Sequence, residues 1–236
     1  MTTLLIKEEL ERIWQYGQDV DLTGVGYGRI HWDNEIDIWD FPAPYYYFLA
    51  GWCRLFRARR VLEIGTHWGG SAVSMARGMV RGSPMGEELK IVTLDLTEES
   101  DNFIPNQRES SMIHKIVGDA NSSSMIRKTA EAFSGEVIDL LYIDAEHTEM
   151  STFFNFVIYA ILLKPKVVIC DDIELSDGMR SFWSLAKLCA APQVIVNVVD
   201  YVPAVRATVT GETKAFVAHR GGGAADPGFG YIRFRV

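Results

Sequence analysis

A buried strand, a glycine loop and a helix follow one another in the segment Val61-Leu62-Glu63-Ile64-Gly65-Thr66-His67-Trp68-Gly69-Gly70-Ser71. The apolar residues at its start are typical of a parallel strand that is covered on both faces. The residues after Ser71 have helical apolar spacing, and Gly65 and Gly69 let the backbone approach a ligand closely. The glycine spacing differs from the dinucleotide fingerprint G-x-G-x-x-G and from the P-loop. The segment therefore predicts a cofactor loop that is not a phosphate cradle, and the alternative is a turn that only packs tightly.

Length and composition indicate one α/β domain with a substantial core, since the chain has 236 residues, 48% of them hydrophobic and 23% charged. The longest apolar run, 156–163, is much shorter than the ~20 residues of a membrane span. The net charge of -8 argues against nucleic acid as a partner. An odd number of widely spaced cysteines favours a reducing compartment: Cys53, Cys170 and Cys189. We expect a cytoplasmic protein with a small-molecule substrate and no membrane partner.

Strand-like runs alternate with helical patterns along the chain, which predicts a doubly wound, mostly parallel sheet. The predicted strands are 60–64, 90–95, 112–117, 137–143, 166–171 and 193–199. The predicted helices between them are 70–81, 122–133, 150–163 and 178–190. Two last runs, 215–218 and 231–236, flank a glycine-rich loop and predict a β-hairpin.

Residues 1–59 precede the first strand of the sheet and are rich in aromatic side chains. A helix is predicted at 45–56, and residues 1–12 have the pattern of an amphipathic helix rather than of a signal peptide. We expect a helical, aromatic cap (1–59) on a single globular unit (60–236). The aromatic residues either cover the sheet or a neighbouring subunit, or form a lid over a substrate pocket; they are Trp14, Tyr16, Trp32, Trp39, Phe41, Tyr45, Tyr46, Tyr47, Phe48 and Trp52.

Acidic residues close several of the predicted strands, where the ligands of open parallel sheets bind. Asp95 ends the second strand, at the place where a carboxylate can accept both ribose hydroxyls of a nucleoside. Asp119 follows the third strand, and its alternative role is a turn or a helix cap. Asp144 follows the fourth strand, and the pair Asp171-Asp172 follows the fifth.

The carboxylates of Asp144, Asp171 and Asp172 are predicted to converge on one crevice. Like charges about 4 Å apart repel by a few kcal/mol at an effective dielectric constant near 20, so a cation is expected among them. Oxygen ligands without cysteine favour Mg²⁺ or another hard divalent cation over zinc, and a site open to substrate oxygens suits Mg²⁺.

The glycine segment resembles the first motif of the class I S-adenosylmethionine-dependent methyltransferases. The motif Ile143-Asp144-Ala145-Glu146-His147, together with Asp171-Asp172, resembles the metal-dependent small-molecule O-methyltransferases. It is most similar to the group that methylates sugar hydroxyls, which includes macrolide and rhamnosyl O-methyltransferases and cephalosporin-hydroxylase-like proteins. The resemblance covers 60–175. The chain departs from it at Ala145 and Glu146, where relatives have Gly and Asp, and at Thr148, where catechol-type relatives have a lysine base.

This resemblance implies a seven-stranded Rossmann-like sheet with an antiparallel C-terminal strand, a hydroxylated small molecule as substrate and His147 as the base, assisted by Asp144. It implies Mg²⁺ at Asp144, Asp171 and Asp172. The residues expected to bind S-adenosylmethionine are Glu63, Gly65, Thr66, His67, Gly69, Ser71, Asp95, Asp119 and Asp144.

Alternatives to the sugar O-methyltransferase stay open: a catechol or phenol O-methyltransferase, a non-methylating or accessory member of a natural-product pathway, and a nicotinamide-dependent oxidoreductase, which the glycine spacing disfavours. The aromatic N-terminus favours a homo-oligomer.

Overall fold

The computed structural model describes residues 3–26, 28–32, 35–39, 42–98, 108–189, 194–205 and 228–234, with the backbone alone for 28–32, 35–39 and 108. The helices are α1 (Thr3–Gln18), α2 (Pro44–Leu55), α3 (Gly70–Gly82), α4 (Ser123–Ala132), α5 (Glu149–Leu163) and α6 (Asp177–Cys189). The strands are β1 (Gly28–Trp32), β2 (Glu35–Trp39), β3 (Arg60–Ile64), β4 (Lys90–Asp95), β5 (Ile113–Val117), β6 (Leu140–Ile143), β7 (Val167–Asp171), β8 (Val194–Asn197) and β9 (Phe229–Arg233).

Seven strands form one sheet in the order β5-β4-β3-β6-β7-β9-β8. The pairs among β3 to β7 are parallel, and β9 is inserted antiparallel between β7 and β8. The predicted doubly wound sheet with an antiparallel C-terminal strand is confirmed. The other half of the predicted terminal hairpin, 215–218, lies outside the described residues.

Two helical layers cover the sheet. Successive side chains of a strand point to opposite faces, so Val61 packs in the cluster of α1–α3 and Leu62 in the cluster of α4–α6. Neighbouring residues of β6 divide in the same way, with Tyr142 on the first face and Leu141 on the second. This double coverage explains why the central strands β6 and β7 are apolar almost without interruption.

The N-terminal helices pack closely through glycines. A Cβ on Gly51 of α2 would lie 1.9 Å from the carbonyl oxygen of Ile13 in α1, and one on Gly78 of α3 would lie 2.2 Å from that of Ala50. Glu9 of α1 also accepts a hydrogen bond of 3.0 Å from the Tyr231 hydroxyl. These contacts bind the predicted cap to the sheet layer, and the boundary at residue 60 stays a prediction.

Several aromatic residues of the N-terminal segment belong to the core rather than to a lid, since Tyr46, Phe48 and Trp52 are buried. The side chains of Trp32, Trp39 and Phe41 are outside the described residues. An antiparallel pair, β1 with β2, was not predicted within this segment. The signal for it was the alternation in Glu35-Ile36-Asp37-Ile38-Trp39, which has the period of a strand.

The predicted helices agree with the observed ones to within one residue at each end, except at the N-terminus, where α1 runs to Gln18. The predicted strand 193–199 ends early, because residues 198–200 form a 3₁₀ turn. Asn197 stops the strand there: its Oδ1 accepts the backbone N–H groups of Val199 at 3.3 Å and of Phe229 at 3.0 Å. In the part of the chain that the structure describes, no helix has the length and apolarity needed to cross a membrane.

Candidate active site

The glycine loop lies against the end of the neighbouring strand β6. Gly65 has φ +96°, and a Cβ on it would lie 1.8 Å from the carbonyl oxygen of Asp144. The backbone N–H of Asp144 donates to the carbonyl oxygen of Ile64 at 2.8 Å. Gly69 has φ +83° and is the N-cap residue of α3. Only glycine fits at position 65, and the loop therefore places the backbone of Asp144 directly beside the predicted cofactor site.

Asp95, at the end of β4, holds the same loop from the other side. Its Oδ2 accepts a hydrogen bond of 2.7 Å from the backbone N–H of His67, and its Oδ1 accepts one of 3.0 Å from that of Thr97. His67 is exposed and has φ +45°, a left-handed conformation that this contact supports. A carboxylate has about four acceptor positions, so Asp95 can still accept ribose hydroxyls, as predicted. Its role in shaping the loop was missed from the sequence.

A buried polar network lies beneath the loop. Glu63 accepts hydrogen bonds from the hydroxyls of Ser71 and of Thr93, the latter at 2.6 Å, and the Thr66 hydroxyl is hydrogen-bonded to that of Thr93. Burial raises the pKa of Glu63 to about 8; the two hydrogen bonds oppose the shift, and the charges of Asp144 and Asp95 add to it. Glu63, Thr66 and Ser71 thus support the loop from below, and their predicted contact with the cofactor stays a prediction.

Asp119 forms the turn that leads from β5 into α4. Its Oδ1 accepts the backbone N–H of Asn121 at 2.8 Å, and its carbonyl oxygen accepts that of Ser122 at 2.9 Å. Gly118, the residue before it, donates its N–H to the carbonyl oxygen of Asp95 at 2.7 Å. Asp119 therefore has the turn role. Its carboxylate is exposed beside the end of β4, and its contact with the adenine stays a prediction.

An imidazole lies between two carboxylates at the ends of β6 and β7. Nε2 of His147 is 3.6 Å from Oδ1 of Asp144 and 3.3 Å from Oδ2 of Asp172. The other oxygen of Asp144 accepts a hydrogen bond of 2.9 Å from the hydroxyl of Tyr142, whose pKa is raised well above its usual value by burial. Asp171 accepts the backbone N–H of Asp172 at 2.9 Å. The structure thus brings together the residues that the sequence placed at the two strand ends.

His147 does not cap helix α5, although it lies just before the start of that helix. The cap of α5 is Thr148, whose hydroxyl accepts the backbone N–H of Ser151 at 3.4 Å. The side chain of His147 is 21% exposed, enough for contact with a substrate. The imidazole of His147 therefore faces Asp144 and Asp172 and takes no part in capping the helix.

The predicted metal site is not formed in this arrangement. Across the described residues, no group of three His, Cys, Asp or Glu side chains is placed to hold a metal ion. The imidazole of His147 lies where a cation shared by Asp144 and Asp172 would have to enter. As they stand, these side chains form an acid–histidine cluster, and Mg²⁺ at Asp144, Asp171 and Asp172 stays a prediction.

Three aromatic rings pack against one another beside this cluster, and the sequence did not indicate that they would come together. Phe229 of β9 is paired with Asp171 in the sheet, and its ring centroid lies 5.7 Å from that of Tyr45 and 6.3 Å from that of Tyr142. Tyr45 belongs to the first turn of α2, so the N-terminal segment contributes directly to the surroundings of the site.

The fold and part of the sequence match known proteins. Residues 62–173 match a family model described as a methyltransferase domain. No match to a curated protein was found. The O-methyltransferase from Bacillus cereus, solved in complex with SAH, is similar with a TM-score of 0.57 and 19% identity, over 97% of this chain and 91% of that one. The O-methyltransferase TomG from Streptomyces achromogenes, involved in tomaymycin synthesis and solved in complex with SAM, has a TM-score of 0.52 and 20% identity, over 83% and 82%.

Proposed function

We propose, on the premise that residues 62–173 form a class I methyltransferase domain, that this chain transfers a methyl group from S-adenosylmethionine to a hydroxyl oxygen of a small molecule. The match to the methyltransferase domain and the shared fold support the class I methyltransferase that the glycine segment indicated. Oxygen as the acceptor atom is supported by the two similar structures, both of which are O-methyltransferases.

One observation carries the proposal: a histidine held by two carboxylates stands next to the cofactor loop. His147 contacts Asp144, and the backbone of Asp144 touches Gly65 of the loop. A hydroxyl that reaches the imidazole therefore also lies close to whatever the loop binds. This is the placement that a methyl transfer to oxygen requires, because the attacking atom and the base must be held together.

His147 is the proton acceptor in this proposal. Its Nε2 faces Asp144 and Asp172, so its other ring nitrogen, Nδ1, takes the proton of the substrate hydroxyl. The two carboxylates stabilise the imidazolium that forms, and the hydroxyl of Tyr142 holds Asp144 in place. S-adenosylmethionine, when bound, supplies an electrophilic methyl group on a sulfonium. The oxygen forms the new bond to that carbon, and the electron pair of the broken carbon–sulfur bond stays on sulfur.

The cofactor is held, in this proposal, by the loop and by the acidic residues beside it. Gly65 and Gly69 let the backbone approach the methionine part, and His67 covers it. Asp95 accepts the ribose hydroxyls, and Asp119 borders the adenine. Glu63, Thr66 and Ser71 act through the loop, since they are buried beneath it.

Dependence on Mg²⁺ remains a prediction. Asp144, Asp171 and Asp172 supply the oxygen atoms that Mg²⁺ prefers, but His147 would have to leave its position between two of them. A sugar hydroxyl is the leading acceptor, on the resemblance alone. The cluster of Tyr45, Tyr142 and Phe229 beside the site favours a phenol or catechol as a second candidate.

Calorimetry with S-adenosylhomocysteine tests the cofactor, with and without Mg²⁺, on the wild type and on the double variant Asp171→Ala/Asp172→Ala. We expect the cofactor product to bind without added metal. If S-adenosylhomocysteine binds neither with nor without Mg²⁺, the proposal is overturned and only the fold remains. Mg²⁺ binding that disappears in the double variant would support the metal, and no Mg²⁺ heat in the wild type would exclude it. A panel of sugar and phenol acceptors then identifies the substrate class.

A further inference from the structure

Helix α5 is apolar on its outer face as well as on the face that packs on the sheet. Between Glu149 and Lys164 the sequence contains no charged residue. The inner face includes Phe156 and Tyr159, which are buried. The outer face leaves large apolar side chains accessible to solvent: Met150 at 75%, Phe154 at 39%, Ile161 at 70% and Leu162 at 40%. A helix that is hydrophobic on all sides is usually enclosed by protein.

The spacing of these residues is that of a helix-pairing seam. Met150, Phe154, the partly buried Val157 and Ile161 are separated by four, three and four residues, so they form one line along the helix. A single exposed leucine on a protein surface has no special meaning, whereas a continuous line over three turns does. The periodicity points to another helix as the occupant.

Polar side chains flank this line on both sides. Helix α5 contacts α4 on one side and α6 on the other. Arg127 and Glu131 of α4 are exposed, as are Arg180 and Lys187 of α6. An apolar centre with a polar rim is the usual anatomy of a protein interface. A stable interface buries ~800 Å² per partner, so we expect the outer faces of α4 and α6 to contribute to it beside α5.

We infer that the outer face of α5 pairs with the same face of a second copy of this chain, with the two helices antiparallel about a two-fold axis. The charges at the helix ends determine the direction. Glu149 begins α5 and the exposed Lys164 follows its last residue, about 22 Å away at 1.5 Å per residue. In the antiparallel arrangement Glu149 of each copy faces Lys164 of the other, and the two-fold axis makes both pairs at once. A parallel arrangement would bring like charges together.

A lipid surface is a poorer occupant. The chain carries a net charge of -8, which opposes binding to an anionic membrane. The inferred interface does not depend on the proposed chemistry, although it would hold the start of α5 two residues from His147.

Sedimentation velocity of the full chain tests the interface. We expect the wild type to be a dimer and Ile161→Asp to raise its dissociation constant by about a hundredfold or more, because each dimer buries two such positions. Met85→Asp is the matched control, since Met85 is 103% exposed and lies in the turn after α3, away from α5; it should leave the dimer intact.

Charge exchange tests the antiparallel direction. Glu149→Lys and Lys164→Glu should each weaken the dimer, and the double variant should restore it. A monomeric wild type, a folded Ile161→Asp variant that remains dimeric, or a monomer that pellets with anionic vesicles through this face would overturn the inference. If Ile161→Asp loses its circular dichroism, the charge exchange decides: single variants that dimerise like the wild type would also overturn it.

Discussion

The carboxylate of Asp95 accepts a hydrogen bond of 2.7 Å from the backbone N–H of His67. This contact ties the end of β4 to the middle of the glycine loop, where His67 has φ +45°. The residue that the sequence assigned to the ribose thus also fixes the conformation of the loop that would hold the rest of the cofactor. Loss of the carboxylate should therefore weaken cofactor binding in two ways, by removing the ribose contact and by loosening the loop.

Asp95→Asn should therefore weaken the binding of S-adenosylhomocysteine by about tenfold or more, since a charge-assisted hydrogen bond is worth roughly 1.5–3 kcal/mol. The amide keeps one acceptor oxygen but replaces the other with a donor. Calorimetry measures the change, and Asp200→Asn is the control, an exposed carboxylate of the 3₁₀ turn after β8. Equal affinity of the Asp95 variant and the wild type would remove Asp95 from the cofactor site.

The free energy of unfolding should fall as the pH rises, because Glu63 is buried. Burial raises its pKa from 4.5 to about 8, so the folded chain keeps a proton that the unfolded chain releases in this range. The stabilisation is complete below pH 4.5 and is lost progressively up to about pH 8, by a few kcal/mol in total. Glu63→Gln stays neutral and should lack this loss. Urea unfolding of both proteins at several pH values measures the difference, and parallel curves would contradict the raised pKa.

Much of the fold could be predicted because its signals are local. The strands β6 and β7 are apolar almost throughout, β3 and β4 are apolar at their centres, and helices alternate with the strands, which is sufficient to predict a parallel sheet. The convergence of Asp144 and Asp172 was predictable for the same reason, since they follow neighbouring strands whose carboxyl ends meet at one edge.

What the sequence could not supply depends on pairing between distant segments. The insertion of β9 between β7 and β8 brings Phe229 next to Asp171, and the sequence implied this antiparallel C-terminal strand only through its resemblance to the methyltransferases. The position of the His147 ring between two carboxylates, in place of a cation, likewise depends on side-chain orientation. The close approach of Gly65 to the backbone of Asp144 explains physically why the motif has a glycine at this position.

Gly65→Ala should destabilise the fold far more than Gly86→Ala. Both glycines have positive φ, +96° and +91°, so both substitutions share a similar backbone cost. A Cβ at position 65 would lie 1.8 Å from the carbonyl oxygen of Asp144, whereas one at position 86 has no neighbour within 4 Å. The difference between their unfolding midpoints in urea isolates the steric cost. Similar midpoints would mean that the loop can move away from β6.

Replacing His147 should reduce turnover while leaving the cofactor site intact. We expect His147→Ala to lower kcat by about 10²–10⁴, the usual contribution of a positioned base, with little change in the affinity for S-adenosylhomocysteine. Tyr142→Phe removes the hydrogen bond of 2.9 Å to Asp144 and keeps the ring, so it should have a smaller effect in the same direction. Initial rates with an accepted substrate, together with calorimetry, separate the two quantities. Unchanged turnover in His147→Ala would rule out its role as the base, and a parallel loss of cofactor affinity would assign it to binding.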